Sequence, residues 1–412
     1  MEQIDTVIVG GGQAGMATSY WLTEAGIPHI VLEQAAQPAP VWRNHRWDSF
    51  TLVTPNWANR LPGAPYDGDA PNDFRLRDEY VAFLDDYATR FRLPIRCNTT
   101  VTAITPRDDG GYLVETNDGP IEARTVVVAT GMFQMPKMPE CAASIAPHIT
   151  QLHTHDYRNQ QSLPPGAVLV VGSAMSGCQI AEELYQAGRR VYLSTGGTGR
   201  VPRRYRGKDI IWWLETIGFF DLTIDQFPPG SSRFDSIPHI TGANGGHTLN
   251  LHQFARDGVT LLGRLEDIDG TTVSIAPNLH ENLAMADGFE RNITQMIDDY
   301  IMGHGLDVEA EELPTLRDGF DQSIVERLDL DESGIESVIW ATGYRFDYSL
   351  VNLPVRDEEG YPIQDRGVAE YPGLYFAGMP WMPSERSGFL IGLSEATRHI
   401  VSRIVAAHAV TA

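Results

Sequence analysis

The chain has 412 residues, enough for two cores, and its 54 acidic against 31 basic side chains leave a formal charge of −23. That surplus repels nucleic-acid phosphates and anionic lipid, so neither nucleic acid nor membrane is an expected partner. Cys97, Cys141 and Cys178 stand far apart with no CxxC, which excludes a zinc ribbon, a redox-active dithiol and a secreted disulfide framework.

The first expected strand, Thr6–Val9, consists of β-formers and begins within about five residues of the start, leaving no room for a secretory signal. No apolar run nears the roughly 20 residues of a membrane span, so a soluble, unprocessed cytoplasmic protein is expected. The strand feeds the turn Gly10-Gly11-Gly12-Gln13-Ala14-Gly15 and a helix toward Ala25, stopped by Gly26. The next strand, HIVLE, ends at Glu33, about 20 residues past the turn. In a βαβ unit of this kind Gly10 permits the tight turn and Gly12 lets a pyrophosphate approach the backbone. Gly15 lets helix and strand pack, Gln13 and Ala14 open the helix toward the phosphates, and Glu33 accepts from ribose hydroxyls. The alternative, a Gly-rich turn that holds nothing, does not explain the acid at the second strand end.

Trp42 and Arg43 follow, where the chain would pass a flavin edge, although Trp42 suits a core equally well. The strand TVVVATG, Thr125–Gly131, ends on Ala129, Thr130 and Gly131, and MPKMPE then suits a crossing between domains. There the pattern repeats. AVLVVGSAMSG starts a second βαβ unit with Gly172, Ser173, Ala174, Ser176 and Gly177 in its turn, VYLST supplies the second strand, and SVIWATG closes it as TVVVATG closed the first. Ala174 adds a methyl where Gly12 stood, so binding there should be looser, which suits a cosubstrate that arrives and leaves. VYLST ends without an acid and is followed by Arg200, Arg203, Arg204 and Arg206, so Arg203 and Arg204 are expected to read a 2′-phosphate and select NADPH over NADH.

Gly10 to Ala129 spans 119 positions and Gly172 to Ala341 spans 169, so the second copy carries about 50 extra residues. The surplus is expected between Arg200 and about Tyr300, where Trp212, Trp213, Phe219, Phe220, Phe227 and Phe234 crowd near PPGSS and GANGG. Adjacent on an expected helix, Trp212 and Trp213 cannot point the same way. One should face the domain and the other the cleft as a substrate lid, or a partner chain in a homodimer. GLYFAGMPW with Gly378 returns to the first domain, and a last helix runs over about 388–406. The expected fold class is α/β with two Rossmann-like dinucleotide-binding domains. An FAD domain of residues 1–163 and 337–412 holds an inserted NADPH domain of 164–336.

Two dinucleotide units in tandem, the tighter first, resemble the two-domain flavoprotein oxidoreductases. QLHTHDYRN narrows this, because His153, Tyr157 and Arg158 resemble the second half of the F-x-G-x-x-x-H-x-x-x-[YF]-[KR] fingerprint of flavin-containing monooxygenases. The Gly turn, Trp42-Arg43, this linker, LPPGAVLVVGS, VPRRYRG and WATGY come in that family's order, and the chain is similar to its short bacterial members. Pro147 and Ile149 stand at the Phe and Gly positions of the fingerprint. The resemblance implies bound FAD, with Val101, Ala129, Thr130, Gly131 and Gly378 completing its site and Asn56 in LVTPNW as the candidate catalytic residue beside the flavin. It also implies NADPH as reductant, O2 adding to the flavin, and one oxygen passing to nitrogen, sulfur or a carbonyl of a small organic substrate. Two alternatives are a flavin oxidoreductase that does not oxygenate and a non-catalytic redox-sensing flavoprotein. No metal is expected, because no cluster of ligands shows metal spacing. His153 is expected to be structural, positioning the domains.

Overall fold

The structure, a computed structural model, describes residues 1–227, 231–234, 238–382 and 384–411. Short runs of Val, Ile and Leu buried on both faces form parallel strands, and their crossovers must be helical or long. In the first sheet the parallel order is Ile95–Arg96, His29–Leu32, Glu2–Val9, Ile121–Val128 and Leu374–Phe376. Val7, Ile8, Val126 and Val127 are wholly buried at its centre. Helix Gln13–Glu24 crosses from the first strand to the second and packs against the last helix, Leu390–Thr411.

The second sheet runs Thr260–Leu262, Val191–Ser194, Ala167–Val171, Ile335–Trp340 and Thr150–His153, parallel throughout. Numbered along the chain, the first sheet reads third, second, first, fourth, fifth, the doubly wound order of dinucleotide-binding folds; the second repeats the first four of these, but its last position is filled by Thr150–His153, which precedes the unit's first strand in the chain. Each unit also places antiparallel strands before its fourth strand. Val101–Pro106 and Tyr112–Thr116 do so in the first, and Leu265–Asp269, Thr272–Ile275 and Arg327–Asp329 in the second. The duplication read from the Gly turns therefore extends through both units.

Strand pairing draws the domain boundaries elsewhere than expected. Thr150–His153, ahead of residue 163, is the fifth strand of the second sheet, and the break at 336/337 cuts the strand Ile335–Trp340. A strand joins whichever sheet edge is open to it, and sequence position does not set that. The two crossings pair with each other, Met135–Pro136 antiparallel to Tyr344–Arg345. The second unit's additional chain includes a hairpin, Arg204–Tyr205 with Lys208–Asp209, helix Ile210–Thr216 and the 25-residue helix Leu279–Gly303. Pro228–Gly230 of PPGSS lie outside the described residues.

Candidate functional site

Each glycine of the first turn meets a different constraint. Gly10 has φ +113°, and a Cβ there would stand 2.5 Å from the Ala129 carbonyl oxygen. A Cβ on Gly15 would overlap the Gly10 carbonyl oxygen, whereas one on Gly12 meets nothing within 4 Å. Gly12 also caps the following helix without any side-chain bond, so the first amides of that helix remain open to an anion. Steric demand thus explains Gly10 and Gly15 from within the protein, and Gly12 only from outside it.

Glu33 is buried, with Oε2 accepting from the Gly11 amide at 2.8 Å and Oε1 from the Ala35 amide at 2.9 Å. Its carboxylate ties the turn to the second strand, and each oxygen keeps a lone pair for a ribose hydroxyl. Thr99, two residues before Val101, donates its amide to the Glu33 carbonyl, which brings the start of that strand to the same place. Gly378 has φ +79°, and a Cβ there would overlap that of Ala14, so the return segment closes against the helix start. Trp42 donates from Nε1 to Gln13 Oε1 at 3.1 Å and packs edge-on to Tyr80, so it steadies the helix opening. Arg43 binds Asp85 and the Pro38 carbonyl, partners inside the protein.

Asn56 begins a one-turn 3-10 helix, Asn56–Ala58, and is buried. Its Nδ2 donates to the Ala70 carbonyl at 2.9 Å, while Oδ1 has no partner. A buried acceptor left open costs about 1–3 kcal/mol of desolvation, which a ligand donor would offset.

The second turn keeps the two glycines that packing demands. Gly172 has φ +105°, with a Cβ there 2.6 Å from the Ala341 carbonyl oxygen, and a Cβ on Gly177 would overlap the Gly172 carbonyl oxygen. Ala174 caps helix Met175–Gln186 where Gly12 caps the first, so of the three spaced glycines only the one facing outward has changed. Ser173 Oγ accepts from the Gly196 amide at 3.0 Å, holding the turn against the second strand's loop, and Ser176 lies in the first turn of the helix. His239 is buried with neither ring nitrogen hydrogen-bonded, and burial drives its imidazole down to about 4.

The arginines do not form the expected fork. Arg203 is buried, donates to both oxygens of Asp209 and reaches the Val53 carbonyl at 2.8 Å, so it cannot meet a phosphate. Arg200 pairs with Asp287 and Glu290, and Arg206 with Asp298. Arg204 donates to the Gly245 and Gly246 carbonyls, both at 2.8 Å, and lines a cavity to which the second turn contributes nothing. In a chain with 54 acidic side chains, Arg200, Arg203 and Arg206 fold onto separate acidic partners, and Arg204 onto backbone carbonyls.

The adjacent tryptophans point opposite ways. Trp213 is buried and donates to the Tyr205 carbonyl at 2.7 Å, which removes it from any lid, while half-buried Trp212 lines the same cavity as Arg204.

The linker motif works as a clamp. His153 is buried, its Nε2 bonded to the Gly343 carbonyl at 2.9 Å while Nδ1 accepts from the His155 amide at 3.1 Å, an arrangement that requires the neutral Nε2–H form. Tyr157 donates to Glu183 Oε1 at 2.7 Å, and Arg158 donates to the Asn44 carbonyl. The fingerprint residues therefore join the return crossing, the second helix and the first domain.

The sequence showed no metal spacing, yet His45, His155 and Asp156 bring ligand atoms within 4.8 Å of one another from positions 110 residues apart. Their two imidazoles stack at 3.5 Å with 19° between planes, so in-plane lone pairs run nearly parallel and cannot converge on one ion without a turn of the rings.

Residues 7–214, about half the chain, match the family described as pyridine nucleotide-disulphide oxidoreductase. The chain belongs to that family. An uncharacterized CzcO-like oxidoreductase of Geobacillus kaustophilus is 33% identical over 404 residues, covering 98% of each chain, and agrees with an oxidoreductase enzyme. An indole-3-pyruvate monooxygenase of Oryza sativa is 30% identical over 204 residues, 49% of this chain and 50% of that protein. Among solved structures, the flavin-containing monooxygenase of Stenotrophomonas maltophilia superposes with a TM-score of 0.68 at 21% identity over 99% of this chain and 100% of that one. The resemblance to flavin monooxygenases read from the motifs returns in the names of the Oryza and Stenotrophomonas proteins, and the α/β fold is that of the Stenotrophomonas structure. Among the described residues, no helix is long and apolar enough to cross a membrane.

Proposed function

We propose that this oxidoreductase is an NADPH-dependent FAD monooxygenase that inserts one oxygen atom of O2 into a small organic substrate. FAD, held at the first turn, supplies the hydride acceptance and oxygen activation when bound. Gly12 leaves room for the pyrophosphate, the open amides after it balance the charge, and Glu33 holds a ribose. The second turn, with Ala174 at its outward position, receives the reduced nicotinamide dinucleotide more loosely. Neither Arg203 nor Arg204 is assigned to its 2′-phosphate.

The observation that carries the oxygenase reading is the unpartnered Oδ1 of buried Asn56. A buried acceptor left open beside the expected flavin can take a hydrogen bond from a donor group and hold that group in place, the positioning that an oxygenating flavoenzyme asks of its protein. The linker clamp of His153, Tyr157 and Arg158 ties the return crossing, the helix that follows the second turn and the segment around Asn44 to one another. The test follows NADPH consumption by the yellow protein with amines, sulfides and ketones under labelled O2. Substrate-stimulated consumption with label in the product is expected. Reduction of an acceptor without label would give the enzyme to the non-oxygenating class, and no NADPH oxidation at all would leave a sensor.

A further inference from the structure

A cavity of about 640 Å³ lies where the second unit's additional chain meets the first domain, walled by Trp57 and Arg60 on one side and by Arg204, Lys208 and Trp212 on the other. Its size is that of a small-molecule site. Trp57 follows Asn56 in the same 3-10 turn, so the wall of the cavity and the open amide are consecutive residues.

The charge of this cavity runs against the rest of the chain. Two carboxylates reach it, but Asp209 is already bonded to Arg203 and Glu215 to Arg386, with Arg60 3.9 Å away. Lys208 meets no carboxylate among the described residues and lies 5.3 Å from the centre of the Trp212 ring, while the bonds of Arg204 go to two backbone carbonyls. In a chain of net charge −23, cations left without carboxylates of their own and gathered around two indoles make a local anion site with aromatic walls.

We propose that this cavity binds the substrate, and that the substrate is an aromatic carboxylate: its ring lies against Trp57 and Trp212 and its carboxylate meets Lys208, Arg204 and Arg60. A cationic amine is repelled by the same three groups. The aryl face provides the apolar contact that indoles favour, and the charge-assisted bonds fix which end points inward. Turnover of such an acid rests on the monooxygenase reading above, but its binding does not.

The experiment is calorimetric titration of the FAD-loaded protein with 3-phenylpropionate and with its neutral isostere 3-phenylpropanamide. The acid should bind about tenfold or more tighter than the amide, and the gap should shrink as salt rises. Lys208→Gln should weaken the acid several-fold and spare the amide, Lys208→Arg should restore the acid, and Trp212→Ala should weaken both. Equal affinity for acid and amide, or no binding of either, overturns the proposal. So does displacement of the acid by 2′,5′-ADP together with loss of 2′,5′-ADP affinity in Lys208→Gln, which would give the cavity to the dinucleotide. Reduction of the wild-type flavin by NADPH is followed separately: acid binding without reduction sinks the monooxygenase reading and leaves this one standing.

Discussion

Arg203 and Asp209 form an ion pair inside the protein, their side chains 2% and 10% exposed, at the base of the hairpin that carries Arg204 and Lys208. The pair fixes that hairpin against the Val53 and Thr241 carbonyls, so it acts on packing. Arg203→Ala strands a buried carboxylate and should lower stability by about 3–5 kcal/mol. Chemical denaturation measures that loss. The ratio of kcat/KM for NADPH over NADH should stay as in the wild type, and a collapse of the ratio with stability intact would return Arg203 to the nucleotide.

Gly12 and Gly15 separate ligand space from packing. Gly12→Val should fold with near-normal thermal stability of the flavin-free protein yet purify colourless, because nothing in the protein lies within 4 Å of the added carbon. Gly15→Val drives a branched side chain onto the Gly10 carbonyl and should give little soluble protein at all. Full flavin content in Gly12→Val, read from its absorbance, would contradict the first turn as the FAD site.

Asn56→Ala removes the open amide while leaving the turn glycines untouched. FAD content and anaerobic reduction by NADPH should persist, whereas substrate oxygenation should fall about tenfold or more, with hydrogen peroxide appearing in its place. Peroxide release and product formation are measured side by side; unchanged coupling would remove Asn56 from the chemistry.

Trp213→Ala empties a fully buried site and should cost about 3–5 kcal/mol, while Trp212→Ala on the half-buried neighbour should change stability by less than about 1 kcal/mol. Denaturation of the two variants decides this, and equal losses would mean that both rings serve the core.

His239 ties stability to pH. Its folded pKa, about 4, lies below the ordinary 6.5, so on acidification the unfolded chain takes up a proton that the folded chain refuses. Stability is whole above pH 6.5 and falls as pH drops toward 4. Between pH 7.5 and 5.5 the wild type should lose ~1 kcal/mol more than His239→Gln in urea unfolding. Parallel curves for the two proteins would exclude the effect.

Both Gly turns, their strands and the duplication were legible in the chain, because each rests on contacts within a short βαβ unit. Gly10 and Gly15 are required by neighbours that the unit itself provides. The His153, Tyr157 and Arg158 motif was legible as a pattern, yet its bonds to Gly343, Glu183 and Asn44 join segments far apart in sequence.

What the sequence determined by itself is therefore local: strand, turn, helix, and the order in which two such units follow each other. Tertiary structure alone decided the partners of charged and aromatic side chains. It took Thr150–His153 into the second sheet, buried Arg203 against Asp209, turned Trp213 inward and Trp212 outward, and stacked His45 on His155. The physical reason is range. Backbone geometry is fixed within a few residues, whereas a long side chain settles wherever burial and an opposite charge coincide, and that place exists only after the chain has closed on itself.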